Sequence, residues 1–149
     1  MSTSGDATVP WSALARQAEC RLAAAGVASP AAEARWLVER GSGHEGEAFA
    51  AGSGEPATVR GVRQLEQLLE RRLTGEPLQY VLGSWGFRTL DLYVDSRVLI
   101  PRPETEAVVE CALDELDRIR ARRSPGERAI VVDLGTGSGA IALSVAAER

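Results

Sequence analysis

The sequence predicts an α/β protein built from an N-terminal helical bundle, a β-hairpin linker, and the incomplete start of a parallel α/β domain. Three observations support this. Apolar residues recur at helical spacing over the first half of the chain. The pattern then changes to partial alternation, and a continuous apolar run later enters a glycine-rich turn. The predicted boundaries are residues 1–75, 76–100 and 101–149.

Composition limits the classes of partner. The chain has 149 residues, of which 44% are hydrophobic and 26% charged, and its net charge is −4. Nucleic-acid-binding proteins are usually net basic, so we expect no direct binding to nucleic acid. No segment reads as a signal peptide or approaches membrane-spanning length. The sequence therefore predicts a cytoplasmic protein without membrane contact.

The cysteines and the histidine suggest neither a disulfide nor a metal site. Cys20 and Cys111 are far apart, lack CxxC spacing and lie in helical patterns. They are predicted to be buried small hydrophobes in a reducing compartment. His44 is the sole histidine and lies in a glycine-rich stretch. It is predicted to be a solvated loop residue, and no metal is expected.

Three helices are predicted in the first part. The second is expected to begin at Ser29-Pro30, with Ser as N-cap and Pro at the first helical position. The third is expected to end at Gly75. Residues 41–56 are rich in Gly, Ala, Ser and Glu, and predict a loop or a poorly ordered helix. The apolar faces of the three helices are formed by Trp11, Leu14, Ala18, Leu22, Ala34, Leu37, Val38, Val59, Val62, Leu65, Leu69 and Leu73.

Residues 79–100 predict a β-hairpin that links two domains. Aromatic and β-branched residues alternate in part, and Asp95-Ser96 predicts a turn before residues 98–100 resume an extended run. Trp85, Phe87 and Tyr93 are expected to pack in the hairpin core.

The last part predicts a loop, a helix, a strand and a second helix. Pro101-Arg102-Pro103 favours an extended loop, and residues 105–122 have helical periodicity. Residues 129–134 are continuously apolar, which is typical of a strand buried on both faces of a parallel sheet. A further helix is expected from Ala140 onward.

The turn between that strand and helix carries the chemistry. Glycines allow a sharp turn and close approach of a ligand, and a helix N-terminus offers free N–H groups. The spacing alone leaves open an S-adenosylmethionine site, a dinucleotide site, or a simple tight turn. Asp133 favours the methyl donor, because a carboxylate suits an ammonium and a sulfonium but repels a pyrophosphate. A Walker A phosphate loop is excluded, since no Lys follows.

Several motifs occur together in a specific order. They are Gly75-Glu76-Pro77-Leu78-Gln79-Tyr80, Gly83, Phe87, Leu99-Ile100-Pro101-Arg102-Pro103-Glu104-Thr105-Glu106, and Asp133-Leu134-Gly135-Thr136-Gly137-Ser138-Gly139-Ala140-Ile141-Ala142. With these motifs the chain resembles the HemK family, which methylates the glutamine of the Gly-Gly-Gln motif in peptide chain release factors. The resemblance is dense from about residue 73 onward. Before that point only the helical character matches.

The resemblance implies a Rossmann-like class I methyltransferase domain after residue 100, S-adenosyl-L-methionine as cofactor, and release factors as protein partners. Residues 1–75 would be a release-factor-recognition domain. The cofactor-binding residues implied are Asp133, Gly135, Thr136, Gly137, Ser138 and Gly139. A nearby site loop would comprise Arg102, Pro103, Glu104 and Thr105, which equally suit the entry to a helix.

The sequence also departs from this family. The Asn-Pro-Pro-Tyr segment, which in the family positions the substrate glutamine amide for in-line transfer, is absent, so no catalytic residue is assigned. We therefore expect an N-terminal portion of such an enzyme, truncated before that motif and inactive alone.

Two other classes stay open at this stage. One is a fragment of an NAD-type nucleotide-binding oxidoreductase, whose acidic residue about twenty positions after the turn would lie beyond Arg149. The other is a non-catalytic helical module that binds a protein partner.

Overall fold

The computed structural model describes residues 9–124 and 127–149. Its contacts divide the chain into two compact units, unit 1 (Met1–Leu82) and unit 2 (Gly83–Arg149). In order, the elements of the described residues are α1 (Trp11–Ala24), α2 (Pro30–Ser42), α3 (Gly46–Gly52), α4 (Val59–Leu73), α5 (Leu78–Leu82), β1 (Ser84–Phe87), β2 (Leu90–Tyr93), α6 (Thr105–Ala121) and α7 (Ala140–Glu148).

Unit 1 is a helical bundle around one hydrophobic core, as the sequence predicts. The apolar faces of α1, α2 and α4 meet, and α3 and α5 add one or two side chains each. Ser29 stands at the N-cap of α2 without a capping bond, whereas the Thr58 hydroxyl accepts a hydrogen bond from the Gly61 N–H and caps α4. The buried core side chains are Trp11, Leu14, Ala18, Leu22, Ala34, Leu37, Val38, Phe49, Leu65, Leu68, Leu69, Leu78 and Val81.

Two glycines allow α2 and α4 to approach closely. A Cβ on Gly61 would lie 2.6 Å from the Trp11 ring and 2.9 Å from the Gly41 carbonyl oxygen. A Cβ on Gly41 would lie 3.1 Å from the Leu65 Cβ. The absence of side chains at these two positions therefore sets the spacing of the helices.

The start of α1 is held by the segment that precedes α4. The Trp11 N–H donates to the Glu55 carbonyl at 3.2 Å, and the Ser12 N–H donates to the Ser53 carbonyl at 2.8 Å. These bonds satisfy N–H groups that a helix leaves free in its first turn. The glycine-rich segment after α2 forms the short helix α3. His44 lies in the loop between α2 and α3 and is exposed, as predicted.

The predicted hairpin forms, but over a shorter range. β1 and β2 pair in antiparallel register, with Ser84 opposite Tyr93 and Phe87 opposite Leu90. Residues 78–82 are the helix α5 and not extended chain, because Leu78 and Val81 turn into the core of unit 1. Residues 98–100, where the sequence predicts that the extended run of the hairpin resumes, are not part of a strand.

Unit 2 has a second, smaller core. Phe87 is buried as predicted, but Tyr93 is exposed, which corrects the prediction that it packs inside the hairpin. The hairpin has one face toward α6 and α7, and Tyr93 is on the other face because side chains alternate along a strand. The buried core side chains are Phe87, Leu92, Val109, Leu113, Leu116, Ala140 and Val145.

The buried strand predicted at residues 129–134 is not formed. Its side chains are largely exposed, with Ile130 at 87% and Leu134 at 90% of their free surface. Among the described residues, only β1 and β2 form a sheet. A parallel strand requires neighbours for its N–H and C=O groups, and none of the described segments pairs with this one.

Both cysteines also differ from expectation. Cys20 and Cys111 are free thiols on exposed faces of α1 and α6, so the prediction that they are buried was wrong. Both cysteines lie in helices, as the pattern predicts, but on the side of each helix that faces away from the core.

None of the described helices is both long and apolar enough to cross a bilayer.

Candidate functional site

A cavity of about 180 Å³ lies within unit 2, between the glycine-rich turn and the loop that leads into α6. It brings together two segments that are separated by about thirty residues in the sequence. Its lining residues are Leu99, Ile100, Pro101, Arg102, Thr105, Asp133, Gly135, Thr136, Gly137, Ser138, Ala140 and Ile141.

The backbone of the turn depends on glycine. Gly135, Gly137 and Gly139 have φ values of +81°, +56° and +82°, in the left-handed region that side chains disfavour. The Gly139 N–H donates to the Thr136 carbonyl at 2.8 Å, and the Thr136 hydroxyl donates to the Asp133 carbonyl at 3.0 Å. The turn is thus closed by its own hydrogen bonds.

Asp133 has an unusual carboxylate. Its Oδ2 atom is buried and has no hydrogen-bond partner among the described residues. A buried carboxylate oxygen without a partner is costly, and such groups in native proteins usually receive a donor or a cation. Because Asp133 also lines the cavity, its unpartnered oxygen indicates a cationic or hydrogen-bond-donating ligand.

The first residues of α7 form another wall. Gly139 is the N-cap of this helix and, as a glycine, has no side chain to accept from the first N–H groups. Ala140 and Ile141 follow it and line the cavity. The N–H groups of a first helical turn have no partner within the helix, so this wall favours polar acceptor atoms of a ligand.

The loop before α6 contributes two of its four predicted site residues. Arg102 and Thr105 line the cavity, whereas Pro103 and Glu104 do not. The Thr105 N–H donates to the Arg102 carbonyl at 3.0 Å, which forms a tight turn into α6. The same residues therefore begin a helix and line the cavity, so the two interpretations of this motif are compatible.

Sequence reasoning missed several residues near the site. Leu99, Ile100 and Ile141 line the cavity, although the first two were assigned to the hairpin. Arg88, at the hairpin tip, makes ion pairs with Glu110 and Glu148. The hydrogen bond with Glu148 is the main cause that raises the pKa of Arg88, and the same bond lowers the pKa of Glu148. No local signal in the sequence indicates these contacts.

The arrangement can bind and orient a ligand. The ionisable side chains that line the cavity are Asp133 and Arg102. Neither is paired with a nucleophilic Ser or Cys there, so the lining supplies charge and shape but no nucleophile–base pair. In the part of the chain that the structure describes, no group of three His, Cys, Asp or Glu could hold a metal ion.

Comparison with known proteins shows which proteins the chain resembles. Residues 13–83 match the PrmC N-terminal domain family. The chain is 38% identical over 148 residues to the release factor glutamine methyltransferase of Agrobacterium fabrum, covering 99% of this chain and 50% of that protein. The protein of the same name from Escherichia coli is 42% identical over 122 residues, covering 81% and 41%.

A shorter but more similar match is the release factor glutamine methyltransferase of Xylella fastidiosa, 48% identical over 94 residues, or 63% of this chain and 32% of that protein. The chain thus spans about a third to a half of the length of the curated relatives that it matches. The resemblance to release factor methyltransferases predicted from the motifs is confirmed. Residues 13–83 resemble the PrmC N-terminal domain, and the curated relatives of the chain bear the name release factor glutamine methyltransferase.

Proposed function

We propose that this chain carries the cofactor-binding turn of a methyltransferase that uses S-adenosyl-L-methionine to methylate the glutamine of release factors. The observation that supports it most is the unpartnered, buried Oδ2 of Asp133 at the wall of the cavity. The names of the relatives support the reaction and the substrate.

The residues present suit the methionine end of this cofactor. Asp133 would accept a hydrogen bond from its ammonium group, and the charge of the sulfonium would also be favoured nearby. The first N–H groups of α7 would receive its carboxylate, as helix N-termini commonly do. The cavity of about 180 Å³ is below the roughly 300 Å³ typical of whole-ligand pockets, so it suits one end of the ligand.

In the proposed reaction, bound S-adenosyl-L-methionine would supply an activated methyl group to the glutamine amide nitrogen. S-adenosylhomocysteine would be the leaving group as the C–S bond gives way to the new C–N bond, and the amide proton would pass to solvent water. The residues of this chain contribute binding and orientation, which accelerate transfer by aligning the two reactants. The Asn-Pro-Pro-Tyr segment expected to hold the amide is not among these 149 residues.

The exposed apolar segment at residues 129–134 supports the Rossmann-like part of the proposal. Four large apolar side chains are exposed there, Ile130, Val131, Val132 and Leu134. Such a run is typical of a strand buried on both faces of a parallel sheet. We propose that this segment is the first strand of a methyltransferase domain.

Calorimetric titration of the chain with S-adenosylhomocysteine and S-adenosylmethionine tests cofactor binding. Asp133→Asn is expected to weaken binding of both about 10-fold to 100-fold, because a charge-assisted hydrogen bond contributes roughly 1.5–3 kcal/mol. Asp91→Asn is the matched control, since Asp91 is an exposed carboxylate of β2 in the same unit. It should leave the dissociation constant unchanged.

Titration with NADH separates the proposal from a dinucleotide site. Asp133 repels a pyrophosphate, so a dinucleotide enzyme should bind NADH more tightly after Asp133→Asn. That result, or equal loss of S-adenosylmethionine binding in Asp133→Asn and Asp91→Asn, would contradict the proposed cofactor.

A separate experiment tests the protein substrate. Direct binding of a purified release factor to the chain, measured by fluorescence anisotropy, supports this substrate. Equal affinity for an unrelated protein of similar charge would remove that support.

A further inference from the structure

Arg88 occupies a backbone position that an arginine seldom adopts. It is the first residue of the two-residue loop between Phe87 and Leu90, and its φ is +51°. Among the described residues, it is the one non-glycine with a φ in the left-handed region. Short hairpin loops of this kind favour Gly, Asn or Asp at such positions. An arginine here indicates that its side chain makes compensating contacts.

Those contacts are numerous and well defined. Nε and Nη2 of Arg88 donate to the two carboxylate oxygens of Glu148 at 2.6 and 2.7 Å, a bidentate pair. Nη1 lies 2.6 Å from Oε1 of Glu110. The Arg88 backbone N–H also donates to the carboxylate of Glu106 at 3.0 Å. We call this group, Arg88 with Glu106, Glu110 and Glu148, the hairpin clamp.

The hairpin clamp is shielded from water at its centre. The Arg88 side chain is 13% exposed and that of Glu148 is 20% exposed, whereas Glu110 is open to solvent. Screening by water and salt is therefore weaker for the pair with Glu148 than for a typical surface pair. Its bidentate geometry further fixes the relative orientation of the hairpin tip and α7.

Both helices that the hairpin clamp contacts also line the cavity. α6 begins at Thr105 and α7 begins at Ala140, and both residues are in the wall. Glu106 and Glu110 lie in the first two turns of α6, and Glu148 is the last residue of α7. The hairpin tip therefore fixes the two elements on which opposite sides of the cavity depend.

The length of α7 makes this dependence strong. It has nine residues, and isolated helices shorter than about 12–15 residues are marginal in water. Its stability must come from tertiary contacts. Loss of the contact at Glu148 should loosen the helix as a whole, including the first turn, where the Leu143 N–H donates to the Gly139 carbonyl at 2.8 Å.

We propose that Arg88 is a positioning residue for the ligand cavity, because it holds α6 and α7 together through Glu110 and Glu148. This inference rests on the proposed cofactor site and adds a residue outside the lining of the cavity. Arg88 does not line the cavity, so its effect on a ligand would be exerted through the two helices.

The test compares Arg88→Met, Arg88→Lys and the control Glu115→Gln in the full 149-residue chain. Glu115 makes an exposed ion pair with Arg118 within α6 and contacts no part of α7 through it. Arg88→Met is expected to weaken S-adenosylhomocysteine binding about tenfold, since small misplacements of a binding group are costly. Arg88→Lys keeps one charge without the fork and should recover part of that loss. Glu115→Gln should leave the affinity unchanged.

A second readout needs no ligand. Amide hydrogen exchange at residues 140–143 should accelerate about tenfold or more in Arg88→Met and remain as in the wild type in Glu115→Gln. If the wild-type chain fails to bind S-adenosylhomocysteine, the proposed cofactor fails, while the exchange data still decide the role of Arg88. Unchanged exchange at these residues in a folded Arg88→Met chain would contradict the proposal that Arg88 positions the two helices.

Where Arg88→Met loses its circular dichroism signal, Arg88→Lys becomes the deciding variant, because it retains a charge at the hairpin tip. Weaker binding and faster exchange in Arg88→Lys at an unchanged melting temperature support positioning. Wild-type affinity for S-adenosylhomocysteine together with wild-type amide exchange in Arg88→Lys would refute the positioning role of Arg88.

Discussion

Unit 1 and unit 2 differ in how their apolar segments are covered. In unit 1 the helical stripes face one another, and Leu22, Leu37 and Val38 have no exposed surface. In unit 2 the hairpin and two helices form a small core, but residues 130–134 lie outside it, with Leu134 90% exposed. Two regions of one chain with similarly apolar sequences thus reach opposite degrees of burial.

The difference arises from the kind of hydrogen bonding that each region needs. A helix satisfies its backbone groups with residues four positions away, so α1, α2 and α4 can form and then pack. A strand in a parallel sheet takes its partners from distant segments, and the crossover connections that bring them are long. Residues 129–134 have a strand's composition but no strand beside them among the described residues.

The largest expected effect is on the core of unit 1. Leu22→Ala should lower the free energy of unfolding by about 2–5 kcal/mol, because it leaves a cavity in a packed core. Leu134→Ala removes the same atoms from an exposed position and should change the free energy of unfolding by less than about 0.5 kcal/mol. Urea denaturation followed by circular dichroism measures both. A comparable loss in the two variants would show that residues 129–134 are buried in solution.

An intermediate effect is expected where α2 and α4 touch. Gly61→Ala places a Cβ 2.9 Å from the Gly41 carbonyl oxygen, which is backbone and cannot turn away. Overpacking of this kind costs about 1–3 kcal/mol. Gly54→Ala is the matched control in the same unit, because a Cβ there meets nothing within 4 Å. Equal melting temperatures for the two variants would contradict the close helix contact.

The smallest effect concerns the turn after the hairpin in unit 2. Hydrogen bonds from the Arg97 side chain, and then from its backbone N–H, lower the pKa of Asp95 to about 2. This value lies below the roughly 3.9 of an unfolded chain. The contribution of the pair to stability is therefore full above about pH 4 and is lost as pH falls through about 2.

An NMR titration of the Asp95 carboxyl carbon measures this pKa directly. Arg97→Met is expected to move the midpoint back toward the ordinary value for aspartate, with little change in stability at neutral pH, because Arg97 is exposed. A midpoint near 3.9 in the wild-type chain would rule out the ion pair in solution.

The site was predictable in part. Asp133 and the glycines of the turn follow a pattern whose backbone requirements can be read locally, and the structure gives these glycines the left-handed φ values that the pattern implies. Arg102 and Thr105 were selected from a motif, and both line the same cavity as the turn. Leu99, Ile100 and Ile141 were not selected, since apolar side chains carry no local sign of facing a cavity.

The sequence by itself determined the helical bundle, the two-stranded hairpin, the long helix α6, the glycine turn and the resemblance to release factor glutamine methyltransferases. Each depends on contacts between residues close in the chain, or on motifs of fixed spacing. Tertiary structure alone decided the close approach at Gly41 and Gly61, the contacts of Arg88 with Glu110 and Glu148, and the exposure of the large apolar side chains of residues 130–134. These depend on which distant segments meet, because burial and strand pairing are properties of neighbours in space and not of the residues themselves.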